Sequence, residues 1–263
     1  MKKTFPTEFV YQVFALLIAF IVVHGLYVTL IRPQADAFMQ QEAANMKADP
    51  DYVQQRSFFV VIKDYEQETC FVLMLWALTI LAYKGRAVYR QQKLLDLDLL
   101  KLPENLPIGP EDTRELAGRL QSLPEPARES LLPRALLTAI ERFGATRNVQ
   151  DVSTAARDVC DSEGERLESE LSIIRYIAWA IPSVGFIGTV RGIGNALGQA
   201  HRAVEGDITG VTASLGVAFN STFIALVISI VLMFFVHQLQ LMQERLVLDS
   251  ERYVDRWMVR RMK

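Results

Sequence analysis

Disulfide chemistry is the first thing this sequence lacks: its 263 residues hold 2 cysteines, Cys70 in an apolar run and Cys160 in a polar one, which offer no covalent framework. Histidine is almost as scarce. His24, His201 and His237 lie far apart and assemble no plausible metal site. Excess positive charge is missing too, with 28 Lys and Arg against 30 Asp and Glu, so no basic surface for nucleic acid is expected. No strand alternation, long internal repeat, nucleotide loop or spacing of nucleophile and base is visible, so neither an enzyme nor a cofactor is expected. Charge itself is absent over long stretches. None occurs from Val10 to Ile31 or from Val211 to Val236, and no Asp or Glu occurs from Leu171 to Val204 or from Ile208 to Gln243.

Those gaps define the class. Val10–Ile31 and Val211–Val236 each exceed the roughly 20 apolar residues needed to cross a bilayer. A third run, Ile173–Val190, carries only Arg175, which can snorkel to the interface. The fourth, Cys70–Tyr83, is short, but Lys84, Arg86, Arg90 and Lys93 follow it without an acid between them, a strong cytoplasmic flank. Lys2 and Lys3 put the N-terminus on that side, and Arg256, Arg260, Arg261 and Lys263 put the C-terminus there. The basic start also suggests a signal peptide, with Ala35, Asp36 and Ala37 as a loose cleavage site, but the apolar run is too long for one.

The expectation is an all-α polytopic membrane protein with four transmembrane helices and a cytoplasmic helical region. Its parts are the N-terminus and first span (1–31), an external segment (32–68), a second span (69–84), the cytoplasmic region (85–172), a third span (173–199), an external loop (200–210), a fourth span (211–238) and a cytoplasmic C-terminal helix (239–263). Phe58–Ile62, "FFVVI", is expected to lengthen the second span's helix outward. Pro103, Pro107 and Pro110 mark a linker, and Pro124, Pro126 and Pro133 break the chain further. Beyond them, Leu136, Leu137, Ile140 and Phe143 predict a short amphipathic helix. Val152, Ala156, Val159, Glu163, Leu167, Leu171 and Ile174 predict a longer one, running into the third span with Glu163 interrupting its apolar stripe. Leu239, Met242, Leu246, Tyr253 and Trp257 extend the fourth span inward in the same way.

Ile181–Gly198, "IPSVGFIGTVRGIGNALG", is apolar enough for a membrane yet carries Pro182, five glycines, Thr189, Arg191 and Asn195. Gly188 with Gly192, and Gly194 with Gly198, have the spacing that lets helix backbones approach closely. The spacing of Gly192, Gly194 and Gly198 and the lack of a preceding strand speak against a dinucleotide loop. Gly185, Thr189, Gly192, Ala196 and Gln199 share one helical face, and Ser214, Ala218, Ser221 or Thr222, Ala225 and Ser229 form a similar face in the fourth span. Two such stripes on adjacent antiparallel helices line an aqueous path or cradle another helix. Each hydroxyl can instead bond back to its own helix. His24 either relays protons, as an imidazole can near neutrality, or packs beside Gly25 and bonds to a carbonyl.

Two stretches, "GFIGTVRGIGNAL" and "LGVAFNSTFIALVIS", together with the large segment between the second and third spans, resemble the MotA/TolQ/ExbB family of ion-channel subunits. Four spans resemble its MotA side. In ExbB and TolQ members the first motif reads like GTVWGI and its threonine lines the pore, which implies that role for Thr189. The hydroxyl in the last span corresponds to Thr222, with Ser221, Asn220 and Ser214 as further ion-path candidates and Pro182, Gly185, Gly188 and Gly192 as helix-packing positions. Arg191 stands where the family has tryptophan. It either snorkels to the outer interface or pairs with a partner's acid, or it sets a positive field at the pore mouth.

An ion path needs a group that binds and releases the ion, and the four runs hold no carboxylate. The resemblance implies that a single-span MotB/TolR/ExbD-like partner supplies a membrane aspartate, that five copies of this chain surround it in a bacterial inner membrane, and that protons or sodium ions drive the complex. A non-conducting tetraspan scaffold is the alternative.

Overall fold

The computed structural model describes residues 7–49, 52, 55, 57–100 and 107–262; of the expected linker, Pro103 lies outside them. Among these residues the chain is helical and holds no strand, only an isolated parallel bridge between Ile108 and Met262. Helix α1 (Thr7–Leu26) passes through one π-helical turn (Tyr27–Ile31) into α2 (Arg32–Ala48), followed by α3 (Phe58–Ile62) and α4 (Tyr65–Leu95). Next come α5 (Thr113–Gln121), α6 (Glu125–Arg128), α7 (Leu131–Thr146) and α8 (Val149–Glu170). Then α9 (Ser172–Gly198), α10 (Ala200–Val204), α11 (Thr209–Trp257) and a 3₁₀ turn (Val259–Arg261) complete the chain.

Among the described residues four helical stretches are long and apolar enough to cross a membrane: Phe9–Ala48, Tyr65–Leu95, Val149–Gly198 and Thr209–Arg261. Their surfaces agree with their composition. Ile21 is 68% exposed, Trp179 70% and Ile230 71%, which water would penalise and hydrocarbon accommodates. The protein is a multi-pass membrane protein.

The chain divides into two compact units. One draws on the residues up to Leu81 and on Ile173–Val236. Within it Val23, Tyr27 and Val72 form a buried cluster with Leu16, Ile31, Phe71 and Leu75, which joins the first helical stretch to α4. The Trp76 indole also donates to the Gln12 carbonyl at 2.9 Å, satisfying a polar group that lipid could not. Phe58–Ile62 does not extend α4. It is a separate short helix, because Lys63 and Asp64 interrupt the helical backbone between them.

The other unit comprises Ala82–Ser172 and the chain from His237 onward. There α7 packs on α8 and α5. Leu136, Ile140 and Phe143 are buried as the periodicity predicts, together with Leu131, Leu132 and Ala135. Pro133 does not break the chain but sits in the first turn of α7, where its missing N–H has no helical acceptor to lose. Asn148 caps α8 by accepting from the Gln150 backbone N–H at 2.9 Å. Along α8 the buried stripe runs Val152, Ala156, Cys160, Glu163 and Leu167, so Cys160 takes the inward place expected of Val159. Glu163 is 3% exposed and accepts from Arg134 at 3.2 Å and from Arg166 at 2.6 Å. Buried Lys84 likewise pairs with Glu170 at 2.9 Å.

Candidate functional site

The small-residue faces of α9 and α11 meet inside one chain. A Cβ placed on Gly192 would come within 2.7 Å of the Ala218 Cβ and 2.8 Å of the Ser214 carbonyl oxygen. One on Gly188 would meet the Ser221 Cβ at 2.5 Å, and one on Gly185 the Ser221 carbonyl oxygen at 3.0 Å as well as Ala225. Only glycine permits this approach. Gly194 and Gly198, by contrast, have open space where a Cβ would stand, so the second glycine pair packs against nothing described within the chain.

Close approach makes interhelical hydroxyl bonds possible in the middle of this contact. The Thr189 and Thr222 hydroxyls bond to each other across the two helices. Thr222 Oγ1 donates to the Gly185 carbonyl at 3.2 Å, and Thr189 Oγ1 donates to the Ala218 carbonyl at 3.0 Å, with the Gly185 carbonyl 3.4 Å away. Two hydroxyl hydrogens thus serve more acceptors than they can satisfy at once, and both threonines remain half-buried rather than sealed. The layer can accept a further hydrogen bond.

The other expected positions are distributed around that layer. Ser221 is buried and donates to its own Val217 carbonyl at 2.8 Å, the back-bonding alternative. Ser214 accepts from the Gln199 side chain at 3.1 Å, and Asn220 is half-buried and joins none of these bonds. Pro182 lies inside α9 and cannot donate to the Ala178 carbonyl one turn earlier. Ser229 of α11 donates to that carbonyl instead, at 3.0 Å.

Carboxylates enter from α4, where composition had not placed them. The expected second span starts at Thr69, and α4 begins one turn earlier, at Tyr65, so that it presents Glu66 and Glu68 to its neighbours. Glu66 accepts from Arg191 at 2.7 Å, its Cγ lying 3.0 Å from where a Gly188 Cβ would be. Arg191 is therefore paired within its own chain, a partner that sequence reading did not identify. His24 bonds to a carboxylate rather than a carbonyl: its Nδ1 lies 2.6 Å from Glu68 Oε1, and its ring stacks on Phe20 at 5.4 Å. Glu68 also accepts from Arg32. The signal that could have found this group was the acidic pair itself, at a spacing that points Glu66 and Glu68 to different sides of one helix.

Two aspartates outside the long helices have displaced acidities. Burial pushes the Asp64 carboxyl up from its usual range, against the opposing pull of Lys63 and Arg191. The Thr209 side chain and backbone, hydrogen-bonding to exposed Asp207, hold that carboxyl below its usual range. Among the described residues no group of His, Cys, Asp or Glu could hold a metal ion.

Residues 127–252 match the model of the MotA/TolQ/ExbB proton channel family. That stretch, a little under half of the chain, is similar to this family. The match takes in α7, α8, α9 and most of α11, and so includes the Thr189 and Thr222 layer while leaving α1 to α4 outside it. Neither a curated protein nor a solved structure matches the chain.

Proposed function

We propose that the chain is the proton-conducting subunit of an inner-membrane energy-transducing or stator complex, coupling ion-motive force to mechanical work through a single-span partner. The observation that carries this reading is the hydroxyl layer of Thr189 and Thr222, set between glycine-lined helices inside the segment that matches the channel family. A protonated carboxyl or hydronium can donate to it, while α9 and the apolar part of α11 hold no acid of their own. A MotB/TolR/ExbD-like partner would bring the aspartate. Five copies of this chain would surround it, with both termini and residues 85–172 in the cytoplasm and residues 32–68 outside.

Each proton crossing makes about 2.3 kcal/mol available per 100 mV. That suffices to shift packed helices by a small step when the partner's carboxylate is neutralised. A specific observation favours the scaffold alternative: Thr189, Thr222 and Ser229 all bond across α9 and α11, as a sealed bundle would have them.

Native mass measurement of the complex purified from its own membrane separates the two. Five copies with a short partner bearing a membrane aspartate are expected; copies of this chain alone would favour the scaffold. Cysteines introduced at residues 45 and 120 test the topology, with only the first expected to react from outside.

A further inference from the structure

Outside the family match, α1 and α4 hold a second polar group. One π-helical turn builds it. Residues eight apart on an α-helix are turned by about 80°, but a π-turn absorbs one extra residue and brings them within about 20°. The turn at Tyr27–Ile31 lies between His24 and Arg32, and both therefore reach the same carboxylate, Glu68, which is 8% exposed. Such turns occur frequently at functional sites. A separate observation points the same way: the buried Tyr27 hydroxyl has no hydrogen-bond partner among the described residues.

We propose that His24 and Glu68 form a proton-binding station that loads the path of this chain, separate from the Thr189 and Thr222 layer. Glu68 accepts from Arg32 through one oxygen and so acts as an acceptor toward Nδ1 through the other. Nδ1 then carries a hydrogen, and the Nε2 lone pair is left to take up a proton. Uptake forms an Nε2–H bond, the new charge is balanced by Glu68 through Nδ1–H, and release restores the neutral ring. The His24 side chain is 47% exposed on the surface of one chain.

The remaining charged groups divide by element. On the first helical stretch Arg32 competes for Glu68 while stacking over the Tyr27 and Tyr65 rings at 5.6 and 4.4 Å. Asp64 and Cys70 flank Glu68 along the chain, and Glu66 is taken by Arg191 of α9. Glu68 sets the station's affinity and Arg32 moderates it.

The loading role rests on the proton-conducting reading; proton binding does not, and the experiment reads the two apart. The full chain, carrying His201→Gln and His237→Gln, is placed in lipid nanodiscs with nitrogen-labelled histidine, and the ratio of protonated to neutral His24 is measured by NMR at one pH near neutrality. Glu68→Gln should lower the ratio about tenfold and Arg32→Gln should raise it. An unchanged ratio in Glu68→Gln, or a shift of the same sign in both variants, overturns the station. In vesicles holding the native complex, His24→Phe keeps the stack on Phe20 and should slow proton flux at least several-fold. Unchanged flux overturns the loading role, whereas flux that survives Thr189→Val with Thr222→Val faults the conducting reading alone.

Discussion

Ser229 donates a hydrogen bond of 3.0 Å to the Ala178 carbonyl, the acceptor that Pro182 leaves without its helical donor. The serine on α11 and the proline on α9 are thus two halves of one local solution, since hydrocarbon supplies no substitute donor. Ser229→Ala is expected to destabilise the α9 and α11 pair by about 1 kcal/mol, in line with hydrogen bonds in membranes. Adding Pro182→Ala should remove most of that loss by restoring the N–H. Thermal unfolding of both single variants and the double variant measures the coupling, and additive effects would contradict it.

Asp64 offers a pH dependence of defined sign. Its carboxyl is pushed up mainly by burial, and Oδ2 has no hydrogen-bond partner among the described residues. The folded state therefore favours the neutral acid: the contribution is full at low pH and is lost as pH rises through the raised value. Asp64→Asn, which stays neutral, should melt above wild type at about pH 8 and converge with it near pH 4. A gap of equal size at both values would rule out burial of the charge as the cause.

Glu163 and Arg166 should respond unequally to truncation. Arg166 is 54% exposed and can return to water, whereas Glu163 at 3% cannot. Arg166→Met leaves the buried carboxylate with Arg134 alone, while Glu163→Met removes the buried charge and extends the apolar stripe of α8. Unfolding in urea is expected to rank Arg166→Met below Glu163→Met, with the double variant close to Glu163→Met. The opposite ranking would show that the arginine's own contacts matter more than burial of the acid.

Much of the membrane part was legible because lipid imposes simple rules. Charge-free runs mark the long helices, and small residues at helical spacing mark the faces of α9 and α11 that meet at Gly185, Gly188 and Gly192. What escaped depends on contacts between distant segments. Glu66 and Glu68 end the apolar run by their charge, yet α4 begins at Tyr65 and carries both toward α1 and α9. The π-turn at Tyr27–Ile31 has no local sequence signal, and without it His24 and Arg32 would not share an acceptor. A backbone carbonyl is what the neighbourhood of His24 along the chain offers, and the distant Glu68 takes that place. Phe58–Ile62 had the hydropathy of a helix extension, and only the backbone at Lys63 and Asp64 sets it apart. Cys160 rather than Val159 faces inward because the two are adjacent and periodicity does not resolve a single-residue turn of the stripe.

The conducting role stands or falls with the two threonines. Valine keeps their shape and removes the hydroxyls that bond across α9 and α11, so assembly should persist while the polar layer is lost. Proton flux into vesicles holding this chain and its native partners is the measurement. Thr189→Val together with Thr222→Val is expected to abolish flux at unchanged subunit stoichiometry, with Ser229→Ala milder; normal flux in the double valine variant would contradict a conducting role for this layer.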